Sequence, residues 1–264
     1  MALIEISNLH HGVRQLLFNR PDKLNALSTP LMAAFDNALD EAATDPSVRV
    51  IVLRGAGGRA FVAGADIGEY QGDKRAAFIA YQMNSRRVFD KLERLPKPTI
   101  CAIDGFALGG GFEIALCCDM IIVSEDAQLG LPEGRLGLSP GGGGTQRLVR
   151  AVGKYAASDL MLAGWHWSGA RAHQLGVATD CVASAEDGTD PLGAAVLTRA
   201  RACLKTAPLA QAEMKRLLRE GYDAPSESAK SYEQEVLFRL YSTHDGQEGI
   251  DAFLEKRTPE FKGA

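Results

Sequence analysis

The stretch Thr99–Arg147 reads TICAIDGFALGGGFEIALCCDMIIVSEDAQLGLPEGRLGLSPGGGGTQR, and its punctuation decides how the surrounding chain must fold. Thr99–Ile103 is a short apolar run of the kind that forms a buried strand. An Asp104-Gly105 turn follows, then three glycines, Gly109–Gly111, open an apolar segment whose single acid is Glu113. Phe112–Cys118 reads as a buried helix with its N-terminus at those glycines, and Met120–Ser124 as a second strand. Twenty positions after Glu113, Glu133 follows Pro132 as another lone acid between glycine-punctuated turns. A helix N-terminus offers unpaired backbone N–H groups and the positive end of the dipole, and glycine lets a substrate oxygen approach them closely. A carboxylate in apolar surroundings has its charged form disfavoured, which moves its pKa toward the range useful for proton transfer. The competing reading of Glu113 is a core acid satisfied by an arginine or a backbone amide.

Outward from this stretch, the N-terminal half alternates strands and helices. Leu3–Ile6 and Gly12–Asn19 read as a hairpin turning at Asn8–His11. The loop Arg20–Leu27 leads to a helix capped by Ser28 or Thr29, with Pro30 near its first position. The apolar face of that helix is Leu31, Met32, Phe35, Leu39 and Ala42. Val48–Arg54 is a β-branched strand, Gly55–Arg59 a turn, and Asp73–Leu95 a helix ending before Pro96 and Pro98. This alternation predicts an α/β core of stacked units. Beyond Gly144 the spacing is helical over Lys154–Ala163, Ser168–Leu175, Pro191–Thr206, Pro208–Arg219 and Ser226–Tyr241, with a strand candidate at Ala178–Val182. We therefore divide the chain into a core, 1–200, and a helical C-terminal region, 201–264.

Composition narrows the function classes. The 264 residues are 46% hydrophobic, enough for a sizeable core, and carry a net charge of −4 with acids and bases interspersed. That balance offers no footprint for nucleic acid or an anionic membrane surface. Five cysteines, two of them adjacent at Cys117 and Cys118, read as reduced core thiols of a cytoplasmic protein. No His, Cys, Asp or Glu spacing suits a metal ion, the first twenty residues lack a signal-peptide pattern, and the longest apolar run, Phe106–Cys118, is too short to span a bilayer.

Gly105–Glu113, Leu131-Pro132-Glu133 and Gly141–Arg147 together resemble the enoyl-CoA hydratase/isomerase (crotonase) family. Phe61–Ile67 (FVAGADI) is similar to the family's earlier loop, and Gly249–Gly263 (GIDAFLEKRTPEFKG) to its C-terminal segment. The resemblance covers the chain end to end. It implies a crotonase-like spiral of ββα units with a helical C-terminal trimerisation region, assembled as a homotrimer or a hexamer. It further implies an acyl-CoA thioester substrate, with coenzyme A as part of that substrate and no separate cofactor. The N–H groups of Ala65 and Gly110 would then form the oxyanion hole, and Glu113 and Glu133 the acid–base pair of a true hydratase. Lys23, Ala26 and Leu27, in the segment that receives the adenine and pantetheine, would bind substrate. So would Ala63, Gly64, Asp66, Ile67 and Gly68 at the thioester end, together with Pro132 and Gly141. Gly68 stands where family members often carry a lysine. Lys23 or Arg59 is a candidate phosphate contact, and Phe253 and Lys256 would reach a neighbouring subunit's ligand. For each of these charges the competing reading is an ordinary solvated side chain. Asp66 also reads as a turn acid without a chemical role.

Two other classes compete. Gly137-Leu138-Ser139-Pro140-Gly141 fits the G-x-S-x-G pattern of serine hydrolases, with His166, His173 and His244 downstream. The residue after that serine must donate its N–H to the oxyanion, however, and Pro140 has none. A binding protein of this fold without chemistry would have no need of both glutamates. Isomerisation of an enoyl-CoA is the nearest alternative activity, and the acyl group, from fatty-acid or aromatic-acid degradation, is left open.

Overall fold

In a computed structural model the chain is described over residues 2–72, 74–184 and 188–264, so Asp73, the expected first residue of a helix, lies outside the described residues. The first hairpin pairs β1 (Ile4–His10) with β2 (Val13–Phe18) in antiparallel register. β1 runs to His10 rather than Ile6, because Gly12, at φ +81°, makes the turn. Helix α1 (Thr29–Thr44) starts where expected: the Ser28 hydroxyl accepts the Leu31 N–H and Pro30 fills the first turn.

Three strand–strand–helix units follow. They are β3 (Val50–Gly55), β4 (Ala60–Val62) and α2 (Arg75–Arg94); β5 (Thr99–Ile103), β6 (Phe106–Leu108) and α3 (Gly110–Leu116); and β7 (Met120–Ser124), β8 (Gln128–Gly130) and α4 (Gly144–Ala163). The first strand of each unit joins a six-stranded sheet, β1-β2-β3-β5-β7-β10, where β10 is Asp180–Val182. The second joins a four-stranded sheet, β4-β6-β8-β9, where β9 is Trp167–Ser168. From β2 onward the large sheet is parallel throughout, as β4-β6-β8 is in the small one. Each unit thus climbs from one sheet to the other and returns by a helix, the spiral that the family resemblance implies. The small-sheet strands escaped the sequence reading because three residues carry no period.

Alternation in the large sheet builds two cores. Ile51, Leu53, Cys101, Ile103, Ile121 and Val123 point into the main core with α1, α2 and α3, whereas Val50, Val52, Ile100, Ala102 and Ile122 point to the other face. That second face is covered by Leu192, Val196 and Ala200 of α6 (Pro191–Leu204); α5 (Gly169–Gln174) precedes it. Position 200 therefore lies within a helix that packs on the sheet. α4 begins at Gly144, ten residues before the expected Lys154, and is interrupted by a non-helical Gly153.

The C-terminal layer is α7 (Pro208–Gly221), α8 (Ser226–Tyr241) and α9 (His244–Glu255). α9 was not foreseen as a helix. The tail beyond it is fastened by buried Asp245, whose carboxylate accepts the Lys262 and Gly263 N–H groups at 2.7 Å each. Among the described residues no helix is long and apolar enough to cross a membrane.

Candidate active site

The site lies where the second and third units meet. Gly109 N–H donates to Gly130 O at 2.9 Å, which ties the strand end before α3 to β8, and Glu113 N–H donates to Gly109 O at 2.9 Å to open the helix. Gly109 holds φ +50°, a conformation strained for any residue with a Cβ, and a Cβ there would stand 3.1 Å from Glu133 Oε1 and 3.8 Å from Gly64 Cα. One glycine backbone is thus the meeting point of the Glu133 carboxyl, the start of α3 and the Gly64-Ala65 turn. Among the described residues, no hydrogen bond uses the N–H of Ala65 or of Gly110.

The two glutamates are held differently. Glu113, on α3 and 4% exposed, accepts the Gly142 and Gly144 N–H groups at 2.8 Å each, both on Oε1. Burial raises its pKa above the usual carboxylate range, against the pull of those two N–H groups and of Arg147 and Arg86. Glu133 opens the short 3-10 turn Glu133–Leu136, and its Oε2 is buried without a hydrogen-bond partner. Burial pushes its pKa up to about 7; its own backbone N–H opposes the shift and the charge of Glu113 adds to it. Two acids in one field titrate as a coupled pair, and the two N–H donors favour the charged form of Glu113, whereas Glu133 Oε2 has no donor.

The remaining wall is a stitched pair of segments. Leu27 N–H donates to Gly64 O at 2.8 Å, Asp66 N–H to Leu27 O at 2.9 Å and Ala63 N–H to Leu24 O at 3.1 Å. Leu27 and Ala65 form an isolated parallel bridge, in effect a one-residue extension of the small sheet. This brings Ala26, Leu27, Ala63, Gly64 and Ala65 together beside Gly109–Gly110. Pro132 immediately precedes Glu133, and a Cβ on Gly141 would stand 2.7 Å from Gln82 Oε1 of α2.

Other expected residues stand apart. The Lys23 side chain is exposed at the end of the 3-10 turn Pro21–Lys23, and Ile67 is 58% exposed at the start of another, Ile67–Tyr70. Gly68 is exposed, and Asp66 forms an ion pair with Arg20 at 2.7 Å. Phe253, 82% exposed, and Lys256 lie at the end of α9. Of the serine-hydrolase set, His173 pairs with Ala178 O and His244 with Asp245, and none of the hydrogen bonds among the described residues joins Ser139 to a histidine. Trp167 is buried in β9, and Trp165, His166 and Trp167 line a cavity of about 400 Å³ against α4 and α5 that contains neither glutamate, neither oxyanion residue nor Ser139.

Three residues matter more than sequence reasoning anticipated. Asn25, fully buried at φ +57°, accepts the Arg20 N–H and donates to Ala56 O and Ala60 O, locking the loop before Leu27. Its signal was an asparagine in a loop, a residue that tolerates the left-handed region. Tyr81 of α2 donates its hydroxyl to Leu27 O at 2.9 Å. Arg147 of α4 donates to Gly142 O at 2.6 Å and to Glu93 and Asp90 of α2. In the sequence Tyr81 shows only as part of a helical spacing and Arg147 only as the end of the Gly141–Arg147 motif, and neither reveals what lies across the helix.

Comparison with known proteins agrees with this fold over nearly the full length. The chain is 40% identical over 250 residues to the 2,3-dehydroadipyl-CoA hydratase of Escherichia coli K12, covering 94% of each chain. It is 36% identical over 248 residues to the short-chain-enoyl-CoA hydratase of Clostridium acetobutylicum, covering 94% of this chain and 93% of that one. The crystal structure of an enoyl-CoA hydratase from Bacillus anthracis superposes with a TM-score of 0.94 at 33% identity, over 99% of this chain and 100% of that one. Since the enoyl-CoA hydratase/isomerase family model also matches residues 8–264, the two-sheet spiral is that of a member of that family, to which this chain belongs.

Proposed function

We propose that the protein hydrates a trans-2-enoyl-CoA to a 3-hydroxyacyl-CoA, as a carbon–oxygen lyase working in the hydration direction. The observation that carries this reading is the pair of carboxyls with unlike surroundings beside two backbone N–H groups that no hydrogen bond among the described residues uses. Glu113, anchored through Oε1, keeps Oε2 for a water molecule and takes its proton as oxygen bonds to C3. The electron pair of the double bond shifts toward the thioester oxygen, where the Ala65 and Gly110 N–H groups stabilise the charge. Glu133, whose raised pKa of about 7 keeps a protonated fraction at neutral pH, delivers its proton to C2. The proton gained by Glu113 then returns to Glu133, so the cycle closes without a redox partner or a cofactor beyond the coenzyme A of the substrate.

The same reading gives Lys23, Ala26, Leu27, Ala63, Gly64, Asp66, Ile67, Gly68, Pro132 and Gly141 the lining of the CoA and thioester channel. It keeps the division into a core, 1–200, and a helical region, 201–264, and has that region assemble homotrimers or hexamers. Large exposed apolar side chains, including Leu218 at 78%, Phe238 at 66%, Phe253 at 82% and Leu254 at 72%, support the assembly. Phe253 and Lys256 would then meet a neighbour's ligand. Five free thiols fit the reducing cytoplasm.

The test is the loss of conjugated enoyl-thioester absorbance with crotonyl-CoA, and with 2,3-dehydroadipyl-CoA to probe a carboxylate-tipped acyl chain. Wild type active, with Glu113→Gln and Glu133→Gln each reduced by orders of magnitude, is the expected result. A wild type inert on both substrates that instead shifts the double bond of a 3-enoyl-CoA would make it an isomerase.

A further inference from the structure

The Gly142 and Gly144 N–H groups can meet one oxygen of Glu113 only if the glycine turn between them is held from behind. Gly143, at φ +102°, turns the chain so that both donors face Glu113, and the atoms nearest to the side a Gly143 Cβ would occupy are those of the Arg147 guanidinium. Arg147 Nη1 donates to Gly142 O at 2.6 Å, and a Cβ on Gly143 would stand 2.2 Å from the same nitrogen. The rest of the guanidinium is spent on α2: Nε and Nη2 donate to the two carboxylate oxygens of Glu93 at 2.8 Å each, and Nη2 to Asp90 at 3.0 Å. The side chain is 14% exposed. A fork with one arm on a carboxylate and the other on a loop carbonyl fixes the loop relative to a helix, a geometry that a lysine ammonium does not reproduce.

We propose that Arg147 is the positioning residue for Glu113. By pinning Gly142 O to α2 through Glu93, it presents two backbone N–H groups to Oε1 and leaves Oε2 for the reacting water. This rests on the hydratase reading and deepens it. The groups that face Glu113 are Arg147 from α4, Arg86 from α2 and Glu133 from the turn after β8; Cys117, one turn along α3, donates to the Glu113 carbonyl. Of these, only Arg147 also touches the turn that donates to the carboxylate.

The experiment compares wild type, Arg147→Gln and Arg147→Lys by pH-resolved crotonyl-CoA hydration and by amide hydrogen exchange at 142–144. Arg147→Gln is expected to lower kcat by about 10²-fold, the size of effect that follows from misplacing a reacting group by about 1 Å, with KM nearly unchanged. Losing the cation and the donors raises the Glu113 pKa, so the acid limb of the kcat profile moves to higher pH and the Gly142 and Gly144 amides exchange faster. Arg147→Lys restores the position of the limb better than the exchange protection. Glu93→Gln, which loosens the anchor but keeps the guanidinium, gives the same loss of kcat and faster exchange at 142–144 in weaker form, and serves if Arg147→Gln does not fold. A purely structural arginine would lower the melting temperature and leave kcat per folded enzyme, the acid limb and the exchange rates as in wild type; that result overturns the proposal. A wild type inert on enoyl-CoA would instead sink the hydratase reading, and unchanged exchange at 142–144 would still refute the role of Arg147.

Discussion

Glu113, on the first turn of helix α3, and Glu133, on a 3-10 turn, both meet the Gly109 backbone, one carboxyl supplied with donors and one left short. The α3 side is complete: Glu113 has two backbone donors, and Arg147 and Arg86 nearby. The Glu133 side is bare, with one carboxyl oxygen buried and unpartnered and a pKa pushed up to about 7 by that burial. The difference teaches how one site can set two carboxyls that share a field apart: donors are supplied to one and withheld from the other.

The severest test of that asymmetry is the removal of each acid. Glu113→Gln and Glu133→Gln should each lower kcat for crotonyl-CoA hydration by about 10²–10⁴-fold, the range of general acid–base catalysis. Equal losses would leave the roles unassigned, so the pH profile of wild type is read with them. Ionisation of Glu133 removes the proton donor, and kcat should fall as pH rises through about 7. A flat profile between pH 6 and 9 would contradict the assignment of Glu133 as the acid.

Next in size is the backbone donor beside both acids. Gly110→Pro deletes an N–H at the first helical position of α3, where proline's fixed φ is compatible with the helix. A Cβ there would stand 3.1 Å from Leu27 Cδ1, a side-chain tip able to shift. Losing one oxyanion donor should cost about 10²–10³ in kcat. A loss confined to KM would place the thioester oxygen elsewhere.

The asymmetry also has a stability signature. A carboxyl whose folded pKa is raised binds its proton more tightly in the native state, so its favourable contribution is complete below the unfolded value of 4.5 and disappears as pH climbs through about 7. Glu133→Gln should therefore raise the melting temperature, and more so at pH 8 than at pH 5. Thermal unfolding at the two pH values checks this, and a stability gain that shrinks with rising pH would reverse the sign.

Much of this arrangement was legible in the sequence, for reasons that differ by element. The large-sheet strands announce themselves as β-branched runs, and α1 by its Ser28 and Pro30 start. The two glutamates stood out because lone acids in apolar, glycine-flanked segments have few bland explanations. One of those, satisfaction by backbone amides, holds for Glu113 and is part of how the residue is held. What stayed hidden is contact across elements. β4, β6, β8 and β9 are two or three residues long and exist only because the spiral stacks them. Arg147 meets Glu93 and Asp90 from another helix, Asn25 ties its own loop to Ala60 O, and Tyr81 braces that loop from α2. Such partners have no periodic signal.

The smallest predicted effect concerns that bracing. The Tyr81 hydroxyl donates to Leu27 O, and Leu27 holds the Gly64-Ala65 turn through its own N–H and through the Asp66 N–H. Tyr81→Phe removes the donor but leaves Leu27 O still accepting from Asp66, so no buried acceptor is orphaned. The cost should be that of one ordinary hydrogen bond, about 1 kcal/mol in chemical denaturation. Because the Ala65 N–H belongs to the turn that Leu27 bridges, kcat should fall by a few-fold at most, with the pH profile of the Glu113–Glu133 pair unmoved. A shift of that profile would mean that the tyrosine acts on the carboxyl pair itself, and the division between a donor-rich and a donor-poor turn would have to be redrawn to include α2.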